Sequence, residues 1–131
     1  MQPHEPYYAS AEVEGRDSLM EYERAPFEYL KKTGDRESPW KAYMKTLNVA
    51  LKEIEILLNN IDAENVVITA DHGDAFGEWS GYGHRVGTIN PKVRLVPWVE
   101  TTATDEETRE PEAMVKQESD KNEMLEALGY K

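Results

Sequence analysis

The residues best equipped for chemistry lie in one stretch. It reads Val66-Val67-Ile68-Thr69-Ala70-Asp71-His72-Gly73-Asp74-Ala75-Phe76-Gly77-Glu78, with Gly83-His84 shortly after. A carboxylate beside an imidazole offers oxygen and nitrogen donors suited to Zn²⁺, Mn²⁺ or a related divalent ion. Gly73 allows a sharp backbone turn, so that Asp71 and His72 can face one ion. His84, carried back by a glycine-containing loop, supplies another nitrogen. The competing reading makes Asp71 a turn cap and His72 a surface histidine. The apolar run before the pair, the glycine after it and the second Gly-His favour the metal. In parallel α/β sheets, ligands collect just beyond the carboxyl ends of strands.

The neighbours admit two readings each. Asp74 and Glu78 either accept a hydrogen bond from a ligating histidine or are solvated loop acids. Trp79, Tyr82 and Trp98 wall a pocket or serve as core and anchor residues. Arg85 and Arg94 suit an anionic substrate, although a salt bridge is the plainer expectation for Arg94. His4, between Pro3 and Glu5-Pro6, reads on its own residues as an exposed histidine near a terminus.

These side chains need elements to position them. Two prolines in the first nine residues predict an extended loop, and residues 21–32 a helix interrupted near Pro26. Ser38 as N-cap and Pro39 at the first helical position open a long helix. Its apolar positions run from Trp40 through Tyr43, Leu47, Leu51, Ile54 and Leu58 to Ile61, about six turns at 3.6 residues each. Val66 to Ala70, short and β-branched, predicts a strand buried on both faces of a parallel sheet. A helix feeding such a strand is half of a βαβ unit. Residues 73–91 read as a glycine-rich loop. A second strand is expected from Val93 to Val96, stopped by Pro97. Residues 101–124 read as a polar linker, and 121–128 as a short closing helix before Gly129.

Bulk properties narrow the function. The chain has 131 residues, 39% hydrophobic and 31% charged, with 26 acidic against 15 basic side chains and a net charge of −11. That charge argues against nucleic acid, whose phosphates demand clustered Lys and Arg, and against an anionic membrane surface. The acids are spread along the chain, which fits a folded protein of a high-salt cytoplasm better than an acidic tail. With no cysteine, neither disulfides nor thiolate-ligated zinc is possible. No run of about 18 apolar residues occurs. The chain reads as soluble and cytoplasmic.

Taken together, the Asp71-His72-Gly73 segment, Gly81-Tyr82-Gly83-His84, Val93-Arg94-Leu95-Val96-Pro97-Trp98-Val99 and the opening Pro3-His4-Glu5-Pro6-Tyr7 resemble the later part of sulfatases, members of the alkaline phosphatase superfamily. The closing Leu125-Glu126-Ala127-Leu128-Gly129-Tyr130 also fits. The acidic composition suggests a version from a salt-loving archaeon. The resemblance implies an alkaline-phosphatase-like sheet of mainly parallel strands flanked by helices. Residues 1–100 would form the C-terminal part of that domain and 101–131 an acidic linker with its helix. It implies Asp71 and His72 as metal ligands, with His72 standing where many true sulfatases carry Asn. His84 would bind a second metal or touch the transferred group, and His4 would lie near the sulfate or phosphate. The ion would be Mn²⁺, Zn²⁺, Mg²⁺ or Ca²⁺.

The departures matter as much. The family's Cys/Ser-x-Pro-x-Arg nucleophile segment is absent, and Ser38-Pro39-Trp40 does not match it. The first strand with its metal-binding Asp residues is also absent. The expectation is a C-terminal segment of a metal-dependent hydrolase acting on anionic sulfate or phosphate esters, or transferring phosphoryl groups, inactive alone. The alternative is a non-catalytic interaction protein, or a split-gene partner whose sheet edge pairs with a chain supplying the missing half.

Overall fold

The computed structural model describes residues 3–109. Its longest element is helix α4, Glu37–Leu58. Asp35 opens it: Oδ1 accepts from the amides of Glu37 and Ser38 at 2.9 and 3.2 Å, and Oδ2 accepts from the Ser38 hydroxyl at 2.6 Å. The cap is therefore Asp35, three residues earlier than the expected Ser38. Three shorter helices precede it: α1 Tyr8–Val13, α2 Glu21–Arg24 and α3 Pro26–Thr33. Pro26 does not interrupt a helix so much as begin one, at a position where its missing N–H costs nothing. The expected N-terminal loop gives way to α1 at Tyr8.

The sheet differs from expectation. Strand β1, Ala63–Thr69, pairs antiparallel with β4, Trp98–Ala103; β2, Ala75–Phe76, pairs antiparallel with β3, Tyr82–Gly83. Both sheets are two-stranded, so no parallel, alkaline-phosphatase-like sheet exists among the described residues. The physical reason lies between β1 and β4. A parallel return needs a crossover of a dozen or more residues, usually a helix. The intervening chain holds only the β2–β3 hairpin, a 3₁₀ turn at Glu78–Ser80 and the single-turn helix α5, Pro91–Arg94.

The expected strand at Val93–Val96 is likewise replaced. Asn90 accepts from the Lys92 amide at 3.0 Å, and Pro91 occupies the first helical position, so this segment turns into α5. The strand follows Pro97 and includes residues 101–103, which the composition assigns to the linker. The expected closing helix at 121–128 lies outside the described residues.

The core is small and aromatic. Phe27, Leu30 and Phe76 form it, with Tyr43 and Tyr82 packed alongside. Phe76 makes edge contacts with Phe27, Trp40 and Tyr43, ring centroids 5.2–5.4 Å away. The other half of the fold is thinly covered. No residue of β1 is buried, and Leu51, Ile56 and Leu57 of α4 are exposed, as are Val67 and Val99. Residues 104–106 tie the ribbon to α4, where the Thr104 and Glu106 amides donate to the Leu58 and Asn59 carbonyls. They satisfy acceptors that a helix end leaves open.

A half-buried ion pair secures the N-terminal half. Arg16 donates to both carboxylate oxygens of Glu23, at 2.9 and 2.5 Å, and the Met20 amide adds a third bond at 2.8 Å. The Glu23 carbonyl accepts from the Tyr7 amide at 2.9 Å, which anchors the segment carrying His4. Burial pushes the Glu23 carboxyl up, but bonds from Arg16, Met20 and Ser10 outweigh it and hold it below its ordinary value of 4.5.

Two predictions follow from this packing. Phe76→Ala should lower unfolding free energy by about 3–5 kcal/mol in denaturant titration, as for other buried Phe truncations. Because the Glu23 carboxyl is depressed in the folded state, its stabilisation is full above 4.5 and is lost as pH falls through the lower folded value. Glu23→Gln should therefore flatten acid unfolding in that window. At neutral pH it should cost about 1–3 kcal/mol. An acid transition identical to that of the unaltered chain would contradict the assignment.

Candidate metal centre

The site grows out of the β2–β3 hairpin. Ala75 opposes Gly83 and Phe76 opposes Tyr82. Continued one position outward, that register sets Asp74 across from His84. The two side chains meet, with His84 Nδ1 2.8 Å from Asp74 Oδ1. Phe76 pins the hairpin to the aromatic core, and Glu78 stiffens it by accepting from the Phe76 amide at 2.6 Å and pairing with Arg36 of the α4 approach. Glu78 is thus neither a solvated acid nor an acceptor for a ligating histidine.

His72 arrives from β1. Its ring stacks on that of His84, centroids 3.9 Å apart and planes inclined by 29°. Nδ1 of His72 lies 3.2 Å from the Gly73 carbonyl. A proton on Nδ1 satisfies that oxygen and leaves Nε2 bare, the form in which imidazole binds metals.

Gly73 is required for space rather than for turning. A Cβ there would stand 2.1 Å from the Lys92 carbonyl oxygen, and the Gly73 amide donates to the Val93 carbonyl at 2.9 Å. Helix α5 is therefore pressed directly against the metal segment. Asn90, buried at the head of α5, donates from its side chain to the Glu78 carbonyl at 2.9 Å and ties α5 to the hairpin. The expected strand at Val93–Val96 leaves no room for this role. The signal was present in Asn90-Pro91, an N-cap residue followed by proline at N1.

One donor atom from each of His72, Asp74 and His84 lies within 4.8 Å of the others. Two imidazoles and a carboxylate fit Zn²⁺, Mn²⁺ or a similar ion, with coordination positions left for other groups. The histidine pair predicted from sequence is thus assembled, with Asp74 as its partner. Asp71 stands alongside: Oδ1 accepts from the His72 amide at 3.1 Å, and Oδ2 is 3.8 Å from His72 Nε2. His4 is exposed at the same rim, its ring centroid 5.8 Å from that of His84. A cavity of about 560 Å³ joins His4, Asp71, His72 and Asp74 to Tyr8 and Tyr43.

Behind Tyr43, which lines this cavity, lies a second aromatic ring. Tyr7 is fully buried against Tyr43, with ring centroids 6.0 Å apart. Burial pushes the Tyr7 hydroxyl far up, and the Asp74 and Glu5 carboxylates nearby add to that. Glu5 itself is pushed up by burial, while His4 beside it pulls the other way. Trp79 and Trp98 are exposed and wall no part of this cavity, whereas Tyr82 packs on the core.

No family model matches this chain, and neither curated proteins nor solved structures provide a match.

Asp74→Asn and His84→Ala should each weaken Zn²⁺ binding by about 10–100-fold in calorimetric titration. Gly73→Ala should abolish binding and destabilise the fold, since backbone oxygen cannot yield as a flexible side chain would. Unchanged zinc affinity in both the Asp74 and His84 variants would place the ion elsewhere.

Proposed function

We propose that this chain carries the metal-binding part of a sulfatase-like hydrolase acting on sulfate or phosphate esters, or transferring phosphoryl groups. The observation that supports the reading is the convergence of His72, Asp74 and His84 within 4.8 Å. When bound, a divalent ion supplies Lewis-acid stabilisation of an oxyanion. His72 and His84 would hold it, with Asp74 as third donor or as the acceptor that orients His84. Asp71 adds negative charge beside His72. His4, at the same rim with its ring 5.8 Å from that of His84, would donate to an ester oxygen. The chain offers no recognisable nucleophile motif, so turnover by this chain is expected to be slow.

The test is hydrolysis of nitrophenyl phosphate and nitrophenyl sulfate with Mn²⁺, Zn²⁺, Mg²⁺ and Ca²⁺ in turn. Slow turnover that requires the ion and disappears in His84→Ala is the expected result. Fast turnover in the presence of chelator, or turnover unchanged by His84→Ala, would overturn it.

A second reading makes the chain an interaction protein that completes an enzyme in trans. Strand β1 favours it. Its apolar Val66-Val67-Ile68 run is unburied, and the edge away from β4 has no strand partner among the described residues. An open edge of this kind is a template for strand addition. Metal binding without any ester turnover supports this second reading over the first. It further predicts that Val67→Lys abolishes association with a partner chain in sedimentation analysis while leaving zinc affinity intact.

A further inference from the structure

Arg85 and Arg94 have no place in the metal centre itself, yet both face it. Arg85 follows His84 directly, and Arg94 ends the helix α5 that Gly73 docks against. A second cavity of about 300 Å³ is lined by both arginines together with Thr88, Asp71, His72 and His84. His72 thus lines two cavities, one shared with His4 and the other with two guanidinium groups and His84.

Neither guanidinium holds a carboxylate among the described residues, although acids outnumber bases 26 to 15 along the chain. Arg16, Arg36 and Arg109 each pair with one. The single bond recorded for Arg94 is a long one, 3.4 Å from Nη1 to the Thr88 carbonyl. Among the described residues no salt bridge forms at Arg94, and Asp71, the acid that shares this cavity, accepts from the His72 amide. Among the described residues, two guanidinium groups without a carboxylate partner stand beside a metal-type cluster, with N–H donors open to an anion. Guanidinium forks match the paired oxygens of a phosphate-type group.

Charge decides between the two esters. Asp71 and Asp74 offset the two arginines, so a bound divalent ion leaves the walls with two net positive charges. A phosphate monoester carries two negative charges above its second ionisation, near pH 6; a sulfate monoester carries one. We propose that Arg85 and Arg94 clamp the oxyanion of the substrate against the His72–His84 pair, and that the site selects a dianionic phosphoryl group over a monoanionic sulfuryl group. The clamp stands on the arginines alone; the selectivity rests on the metal reading above.

Phenylphosphonate and benzenesulfonate separate these claims, because they share a shape, differ in charge and are not hydrolysed. Each is titrated calorimetrically into the zinc-loaded chain and into the chelator-treated chain at about pH 8, where the phosphonate is a dianion. In the loaded chain, phenylphosphonate should bind about tenfold more tightly than benzenesulfonate, and Arg85→Ala or Arg94→Ala should each weaken it about tenfold, the loss of one charged hydrogen bond. Zinc affinity should be unaltered in both variants, and Arg85→Lys should recover only part of the loss, as a point charge without a fork. Should zinc fail to bind, the metal reading falls by itself, and the clamp is judged on the chelator-treated chain by the same arginine variants. Equal affinity for the two probes in the loaded chain overturns the selectivity. Phosphonate binding that is absent, or indifferent to both arginine substitutions, overturns the clamp.

Discussion

Phe76 is the contact on which the site depends. Its ring is wedged among Phe27, Trp40 and Tyr43, at centroid distances near 5 Å that suit edge-to-face aromatic packing. This joins a two-residue strand, too short to be stable by itself, to α3 and α4. Once Phe76 is buried, the hairpin register follows, and with it the pairing of Asp74 and His84. Chemistry at the rim is set by apolar packing two residues beyond it.

Around that anchor, the polar contacts divide into those that brace and those left for a ligand. Glu78, Asn90 and Asp35 spend their side chains on backbone amides and carbonyls, and Glu23 on Arg16 and a backbone amide. They hold loops and helix ends in register. His72, His84, Arg85 and Arg94 keep donor atoms directed at cavities. Such a division suits a binding centre, where groups must be held in place while some of their bonding capacity stays unspent.

The ribbon shows the opposite economy. β1 carries the apolar run Val66-Val67-Ile68, and the structure leaves it half-buried or exposed. An apolar run of this kind ordinarily lies under helices on both faces. Here one neighbour, β4, covers one edge, and α4 leaves part of its own apolar stripe exposed. The fold is well packed where α3 and α4 meet the hairpin, and open along β1 and β4.

Much was legible from local rules. The periodicity of α4, the strand at Val66–Thr69, the break at Pro26 and the candidacy of His72 and His84 all follow from residue types and spacing, because each depends on neighbours within a few positions. The direction of the sheet was not legible, since antiparallel pairing of β1 with β4 depends on what lies between them. α5 was misread as strand because Val93 and Leu95 suggested an extended run, while the Asn90-Pro91 cap outweighed them.

The sequence by itself determined which side chains were available to bind a metal and roughly where their strand ended. Tertiary structure decided which of them meet. Asp74 rather than Asp71 faces His84, because side chains alternate along a strand and a hairpin register joins residues ten positions apart. Arg85 and Arg94 came to share a cavity with the histidines because α5 packs directly on Gly73, a close approach that only a residue without a side chain permits.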